Sequence, residues 1–209
     1  MVRPADLSRR EIVTQAVVFG AAAIGAGATS PPAAGASTTS STSPGPAPPS
    51  DEVIIGVLVS VELLSEYVYL RALRSGKLSG RSHRVARQIA AHERAHARAL
   101  SAELPALGGS PPGGPNSDAD AKARLLPHHV NVQFDKLRTD RDWLRLMLSV
   151  EDVLERNYHQ ALFQLRRAGL LRLATGIYAS EAQHSAVLGV LRHPGDIKKA
   201  VPSAFVNGT

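Results

Sequence analysis

Beyond residue 51, apolar residues recur at intervals of three and four, the period of a helix with one face turned to a core. Val53, Ile54, Val57, Leu58, Val61, Leu64 and Leu70 form the first such stripe, and Ser75-Gly76 supplies its stop signal. A second run, from about Ser82 to Leu104, carries Val85, Ile89, Ala90, Ala97, Leu100 and Leu104 and is closed by Pro105. Residues 105–117 are crowded with Pro and Gly and are predicted to be a long connection. Residues 118–138 read as partly helical, interrupted at Pro127. A third helix is expected from about Asp140 to Arg167, through Trp143, Leu144, Met147, Val150, Leu154, Tyr158 and Leu162. After Gly169 a fourth occupies about Leu170 to Arg192, and His193-Pro194-Gly195 ends it.

Two short connections flanking one long one predict an all-α, antiparallel four-helix bundle with a single long crossover between helices two and three. Composition agrees: hydrophobic residues make up 44% of the 209 and aromatics only 4%, which suits helices filled by Leu, Ala and Val better than a sheet. The bundle is assigned to residues 51–193, followed by a tail at 194–209 in which Pro202-Ser203-Ala204-Phe205 could pack against it.

The first 50 residues have another character. Arg9-Arg10 precedes an uncharged, Ala- and Gly-rich stretch from Ile12 to Ala28, and Ala26-Gly27-Ala28 offers small residues for signal cleavage. Arg9 and Arg10 resemble the twin-arginine signal that carries folded proteins across a bacterial membrane, so residues 1–28 are expected to be a cleaved signal peptide. An uncleaved anchor is the alternative. Residues 29–50 are Ser, Thr, Pro, Gly and Ala with no charge before Asp51, the composition of a disordered linker. The expectation is a protein exported to the periplasm, envelope or exterior, with the twin-arginine translocase as its partner in export.

There is no cysteine, which excludes disulfides, iron–sulfur clusters, thiolate zinc sites and a thiol nucleophile. Any metal must be held by oxygen and imidazole. The net charge of +6 comes from arginines interspersed with acids along helices, a solvated basic face, and no specific nucleic-acid binding is predicted.

Acids on a core-facing stripe call for an explanation, because charged groups are rarely buried unless paired or metal-bound. Glu93-Arg94-Ala95-His96 sets a carboxylate and an imidazole one turn apart on one helix face, and Glu181-Ala182-Gln183-His184 repeats the arrangement in the fourth helix. Random placement of nine Glu and eight His in this chain would give about 0.3 such pairs. Helix one contributes Glu62 and helix three Glu151. Glu62 precedes Glu93 by 31 residues and Glu151 precedes Glu181 by 30, while Tyr69 and Tyr158 each follow their acid by seven. The chain reads as one unit written twice, which brings two half-sites together about a pseudo-twofold axis. Four carboxylates balance two divalent ions, and oxygen with imidazole suits iron or manganese.

These four helical signatures resemble the ferritin-like superfamily of rubrerythrins and bacterial ferritin-like domain proteins, a superfamily whose ligand pattern is itself a standard description of the di-metal bundle. The resemblance covers about residues 51–193. It implies that Glu93 and Glu181 bridge two metals, that His96 and His184 each bind one, that Glu62 and Glu151 are terminal ligands, and that Tyr69 and Tyr158 donate hydrogen bonds to the terminal carboxylates. It implies two iron ions, with manganese possible, and oxidation of Fe(II) or reduction of O₂ or peroxide. The chain departs from rubrerythrins in having no cysteine-bound iron centre and in placing Leu154 where they carry a further carboxylate, so a redox cycle requires an external electron donor. A homo-oligomer is compatible with the family.

Rival residues have plainer readings. Glu66 and Glu155, one turn beyond the chosen acids, rank second as ligands. His92 and His159 have no Glu three residues before them, which favours solvated or supporting roles, and His128-His129 read as a surface pair. Tyr67, Tyr178 and Trp143 read as packing. The competing functional class is a non-catalytic envelope or stress protein that uses the bundle structurally.

Overall fold

A computed structural model of the chain describes residues 47–200. The expected signal with Arg9 and Arg10, most of the linker, and the 202–205 segment lie outside the described residues. Among the described residues all regular structure is helical: α1 (Asp51–Arg74), α2 (Gly80–Glu103), α3 (Asp118–Leu125), α4 (Asp140–Leu162), α5 (Ala168–Arg192) and α6 (Ile197–Ala200), with short 3₁₀ turns in the crossover.

Local chemistry sets most of the ends. Ser50, Ser79, Ser117 and Thr139 cap α1, α2, α3 and α4, each side-chain oxygen accepting from a backbone N–H of the first turn, and Thr139 with Asp142 completes a reciprocal capping box. Helix α2 thus starts at Gly80, earlier than the apolar pattern indicates, because Ser79 accepts from Ser82 N–H. After α1 the chain reverses at Gly76, whose φ of 65° is left-handed.

Helix α1 packs against α2 and α4, and α5 packs against α4 and α2, closing a four-sided bundle. Ile55, Leu58, Val59 and Val68 of α1, Ala86 and Leu100 of α2, Trp143, Met147 and Leu154 of α4, and Ala174 and Leu188 of α5 fill its centre. Among the described residues α1 is the one helix long and apolar enough to cross a bilayer, and 61% of its most apolar window is buried in the bundle.

The crossover travels back along α1. Gly109 lies against Glu52 at the start of that helix, Gly114 against Leu63 at its middle, and Asp118 accepts from Tyr67 Oη at 2.8 Å and from Arg71 Nε at 3.1 Å near its end. The chain is thereby returned to the far end of the bundle, so α4 enters antiparallel to α1. Arg71 also lies over the Trp143 ring.

Two aspartates at helix starts tie the halves together. Asp140 accepts from Ser79 N–H and Ser82 Oγ at the entrance to α2, at 2.9 and 3.0 Å. Asp51 accepts from Arg166 and Arg167 N–H at the entrance to α5, at 2.9 and 3.1 Å. The second contact explains why α4 ends at Leu162 and not near Arg167: those two amides serve Asp51 rather than a continuing helix. Finally, α6 sits directly on α5, where a Cβ on Gly189 would come within 2.1 Å of Ala200 O.

Candidate metal centre

All four helices of the bundle send an acid to its centre. Glu62 of α1, Glu93 of α2, Glu151 of α4 and Glu181 of α5 are each 0% exposed, and His184 of α5 is 5% exposed. Each Glu-x-x-His pair shares one face of one helix, as a separation of three residues dictates. What the bundle adds is convergence. Ligand atoms of Glu62, Glu93, His96 and Glu181 all lie within 4.8 Å of one another, and so do those of Glu93, Glu151, Glu181 and His184. Glu93 and Glu181 belong to both groups.

The two long acids are held alike. Tyr158 Oη donates to Glu62 Oε1, and Tyr69 Oη donates to Glu151 Oε1. Each tyrosine therefore serves the carboxylate of the other half. The two pairs sit where antiparallel α1 and α4 must place them, since seven residues forward on one helix is met by seven forward on the other from the opposite direction. With one oxygen so occupied, the second points inward: Glu62 Oε2 and Glu151 Oε2 are buried with no hydrogen-bond partner, as are both oxygens of Glu93 and Oε1 of Glu181.

The imidazoles complete the set. His184 Nδ1 lies 3.1 Å from Glu93 Oε1, 3.1 Å from Glu181 Oε2 and 3.6 Å from Glu151 Oε2. His96 Nδ1 lies 2.9 Å from Glu181 Oε1 and 3.6 Å from Glu62 Oε2. The His96–Glu181 approach is close, yet neither atom has an aligned hydrogen-bond partner. Their lone pairs aim at shared space rather than at each other, the geometry of donors awaiting a common ion. Buried polar atoms left unpaired are costly, and so many of them at one point, all carboxylate oxygen or imidazole nitrogen, suit a hard divalent metal ion.

Electrostatics without a metal reflect the crowding. Burial, then the charges of Glu93 and Glu181, raise the Glu62 carboxyl well above its ordinary value. Burial and Glu93 do the same to Glu151. At Glu181 burial acts upward, but the hydrogen bond to His184 and the close His96 imidazole prevail and bring it down to about 2. Burial opposes charge on His184, and the carboxylates of Glu151, Glu181 and Glu93 overcome it, pushing the imidazole up to about 12. Burial and the facing carboxylates raise both Tyr69 and Tyr158, so they remain donors.

The rivals point elsewhere. Glu66 accepts from Arg94 Nε at 2.6 Å and Glu155 accepts from Ser185 Oγ, both away from the cluster. His159 packs with Phe163 and Tyr178, Tyr178 stacks on Tyr158, and His128 and His129 lie in the crossover. His92 is different. Its Nδ1 lies 3.0 Å from His184 Nε2, with the rings stacked at 5.2 Å; of the two roles expected for it, solvated or supporting, this is the supporting one, with a partner the sequence did not identify. The available signal was its place one turn before His96, matched in the second half by Ser180 one turn before His184. The aspartate pair was also missed, although Asp51 and Asp140 each stand eleven residues before their half's acid.

Among family comparisons, a model described as "Ferritin-like domain" matches residues 50–193, more than half of the chain. No curated protein and no solved structure matches it significantly.

Proposed function

The chain belongs to the ferritin-like domain family, and on that premise we propose that its buried carboxylates and imidazoles hold two iron ions, manganese being the alternative, for oxidation of Fe(II) or reduction of O₂ or peroxide. Glu62 and His96 would hold one ion, Glu151 and His184 the other, and Glu93 and Glu181 would contact both. The observation that carries this reading is the set of four fully buried acids whose inward oxygens have no aligned hydrogen-bond partner among the described residues. Iron held in such an anionic, oxygen-rich set would supply electrons to an oxidant, since hard carboxylates favour Fe(III).

The chain's own residues supply the rest. Four carboxylates offset the charge of two divalent ions inside an apolar core, where an uncompensated charge would be expelled. Tyr69 and Tyr158 fix one oxygen of Glu151 and of Glu62, leaving the other free to ligate. The α1–α4 side is closed to water, whereas His96 retains 15% side-chain exposure, so small oxidants and protons would enter along the α2–α5 seam. His184 must shed its Nδ1 proton on binding. The reductant would come from outside the chain, because there is no cysteine to anchor an internal iron–sulfur donor. Export by the twin-arginine route suits a protein that acquires its metal while folding in the cytoplasm, and the Arg9-Arg10 segment supports that placement.

Anaerobic Fe(II) titration followed by stopped-flow mixing with O₂ or H₂O₂ tests the proposal. Two ions per chain and oxidation faster than that of free Fe(II) are expected. Binding of no more than one ion sinks the di-metal reading, and two ions with unaccelerated oxidation would favour a structural role in the envelope.

A further inference from the structure

The two halves of the metal centre are related by an internal repeat, but they are not equal: His184 Nδ1 faces three carboxylates and His96 Nδ1 two, and the residue before each glutamate differs. The residue preceding the α2 glutamate is His92, and the residue preceding the α5 glutamate is Ser180. His184 presents Nδ1 to three carboxylates and Nε2 to His92 Nδ1 at 3.0 Å, with Ser180 Oγ a further 3.4 Å neighbour. His96 likewise presents Nδ1 to carboxylates, but the residue that corresponds to His92 in the other half of the repeat is Ser180, which has no ring to set against an imidazole. The His184 side chain is 6% exposed, against 15% for that of His96.

We propose that His92 is a positioning residue which accepts the Nε2–H of His184 and thereby commits that imidazole to ligation through Nδ1, making the Glu151–His184 position the tighter of two unequal metal positions and the Glu62–His96 position the exchangeable one. The inference rests on the di-metal reading for its second half only; the histidine pair itself exists without a metal. The physical basis is general. An imidazole ligand has two nitrogens, and the hydrogen bond made by one decides which is free to bind and how firmly the ring is aimed. Losing such an outer partner weakens metal affinity by about 10- to 100-fold. Stacking of the two rings at 5.2 Å, tilted by 25°, restrains His184 about its side-chain torsions as well.

Two measurements on the full chain test this. In the chelator-treated protein, ¹⁵N-edited NMR should show a slowly exchanging, downfield His184 Nε2–H resonance with coupling to His92 Nδ1, absent in His92→Ala and replaced by a protected Nε2–H in His92→Asn, whose amide oxygen stands near the same acceptor position. Separately, anaerobic Co(II) titration followed by its visible bands and by calorimetry should give two binding steps. His92→Ala should weaken the tighter step about 10- to 100-fold and change the other less than about threefold, with His92→Asn largely restoring it. An unprotected Nε2–H in the unsubstituted protein, or equal weakening of both steps by His92→Ala, would overturn the proposal. Absence of any Co(II) binding together with an intact protected resonance would defeat the di-metal reading while upholding the histidine pair.

Discussion

Glu93→Leu should make the metal-free protein more stable and deprive it of stabilisation by metal. Glu93 is fully buried, and neither of its oxygens has an aligned partner. A buried polar group in that condition costs about 1–3 kcal/mol, and leucine removes the group with little change of volume. Its removal also withdraws a charge that helps raise both Glu62 and Glu151. Against this stands the loss of a neighbour 3.1 Å from His184 Nδ1, but Glu181 at 3.1 Å and Glu151 at 3.6 Å still compensate the imidazolium. The net is a gain of about 1–3 kcal/mol, or roughly 3–10 °C in Tm for a domain of this size. Because Glu93 belongs to both ligand groups, neither position should survive its loss. The unsubstituted protein at a free-metal concentration of about 100 Kd should gain about 2.7 kcal/mol, and the leucine variant nothing. Differential scanning calorimetry of chelated and Co(II)-loaded samples measures both quantities. If chelated Glu93→Leu melts below the chelated parent, the acid contributes to folding by itself, and the argument that it is kept for a ligand fails.

The pH dependence of stability should reverse with metal. Glu62 and Glu151 are raised above their ordinary 4.5, and His184 goes from 6.5 to about 12, so these groups bind protons more tightly when folded. Their contribution is complete below the unfolded values and is lost as pH rises. Glu181, at about 2, contributes above 4.5 and loses its contribution as pH falls. Chelated protein should thus be most stable near pH 5 and weaken towards pH 8, whereas loaded protein should strengthen because ligands must deprotonate to bind. Urea melts across that range decide, and a chelated protein that strengthens towards pH 8 would contradict the assignment. Asp51→Ala should cost about 2–4 kcal/mol, since two amides at the α5 entrance lose a largely buried, charged acceptor, and Asp140→Ala less, at a more exposed site; equal or negligible losses in denaturant melts would remove them as ties between the halves. Gly189→Ala should dislodge α6, whose Ala200 O stands 2.1 Å from the added Cβ, and read out as faster proteolysis after Lys198 or Lys199. Unchanged cleavage would mean that α6 is not held there.

Some of this protein is decided within single helices and some only between them. The four helices, the stops after the first, second and last of them, the long crossover and both Glu-x-x-His pairs follow from the chain alone, because a period of 3.6 residues determines which side chains share a face whatever surrounds the helix. The repeat of Glu62 and Tyr69 as Glu151 and Tyr158 announces equivalent halves for the same reason. It does not say that Tyr69 serves Glu151 and Tyr158 serves Glu62. That crossing depends on the register and rotation of α1 against α4, and these are settled by packing and by the route of the crossover along α1. The early end of α4 at Leu162 is likewise decided by Asp51, 115 residues away from Arg166, which claims amides that would otherwise extend the helix. His92 is the sharpest instance. Spacing gives it no paired glutamate, and only the approach of α5 sets its Nδ1 against His184. Contacts at three or four residues are written in the sequence, while contacts across helices await the fold, because they depend on how two surfaces pack rather than on how one winds.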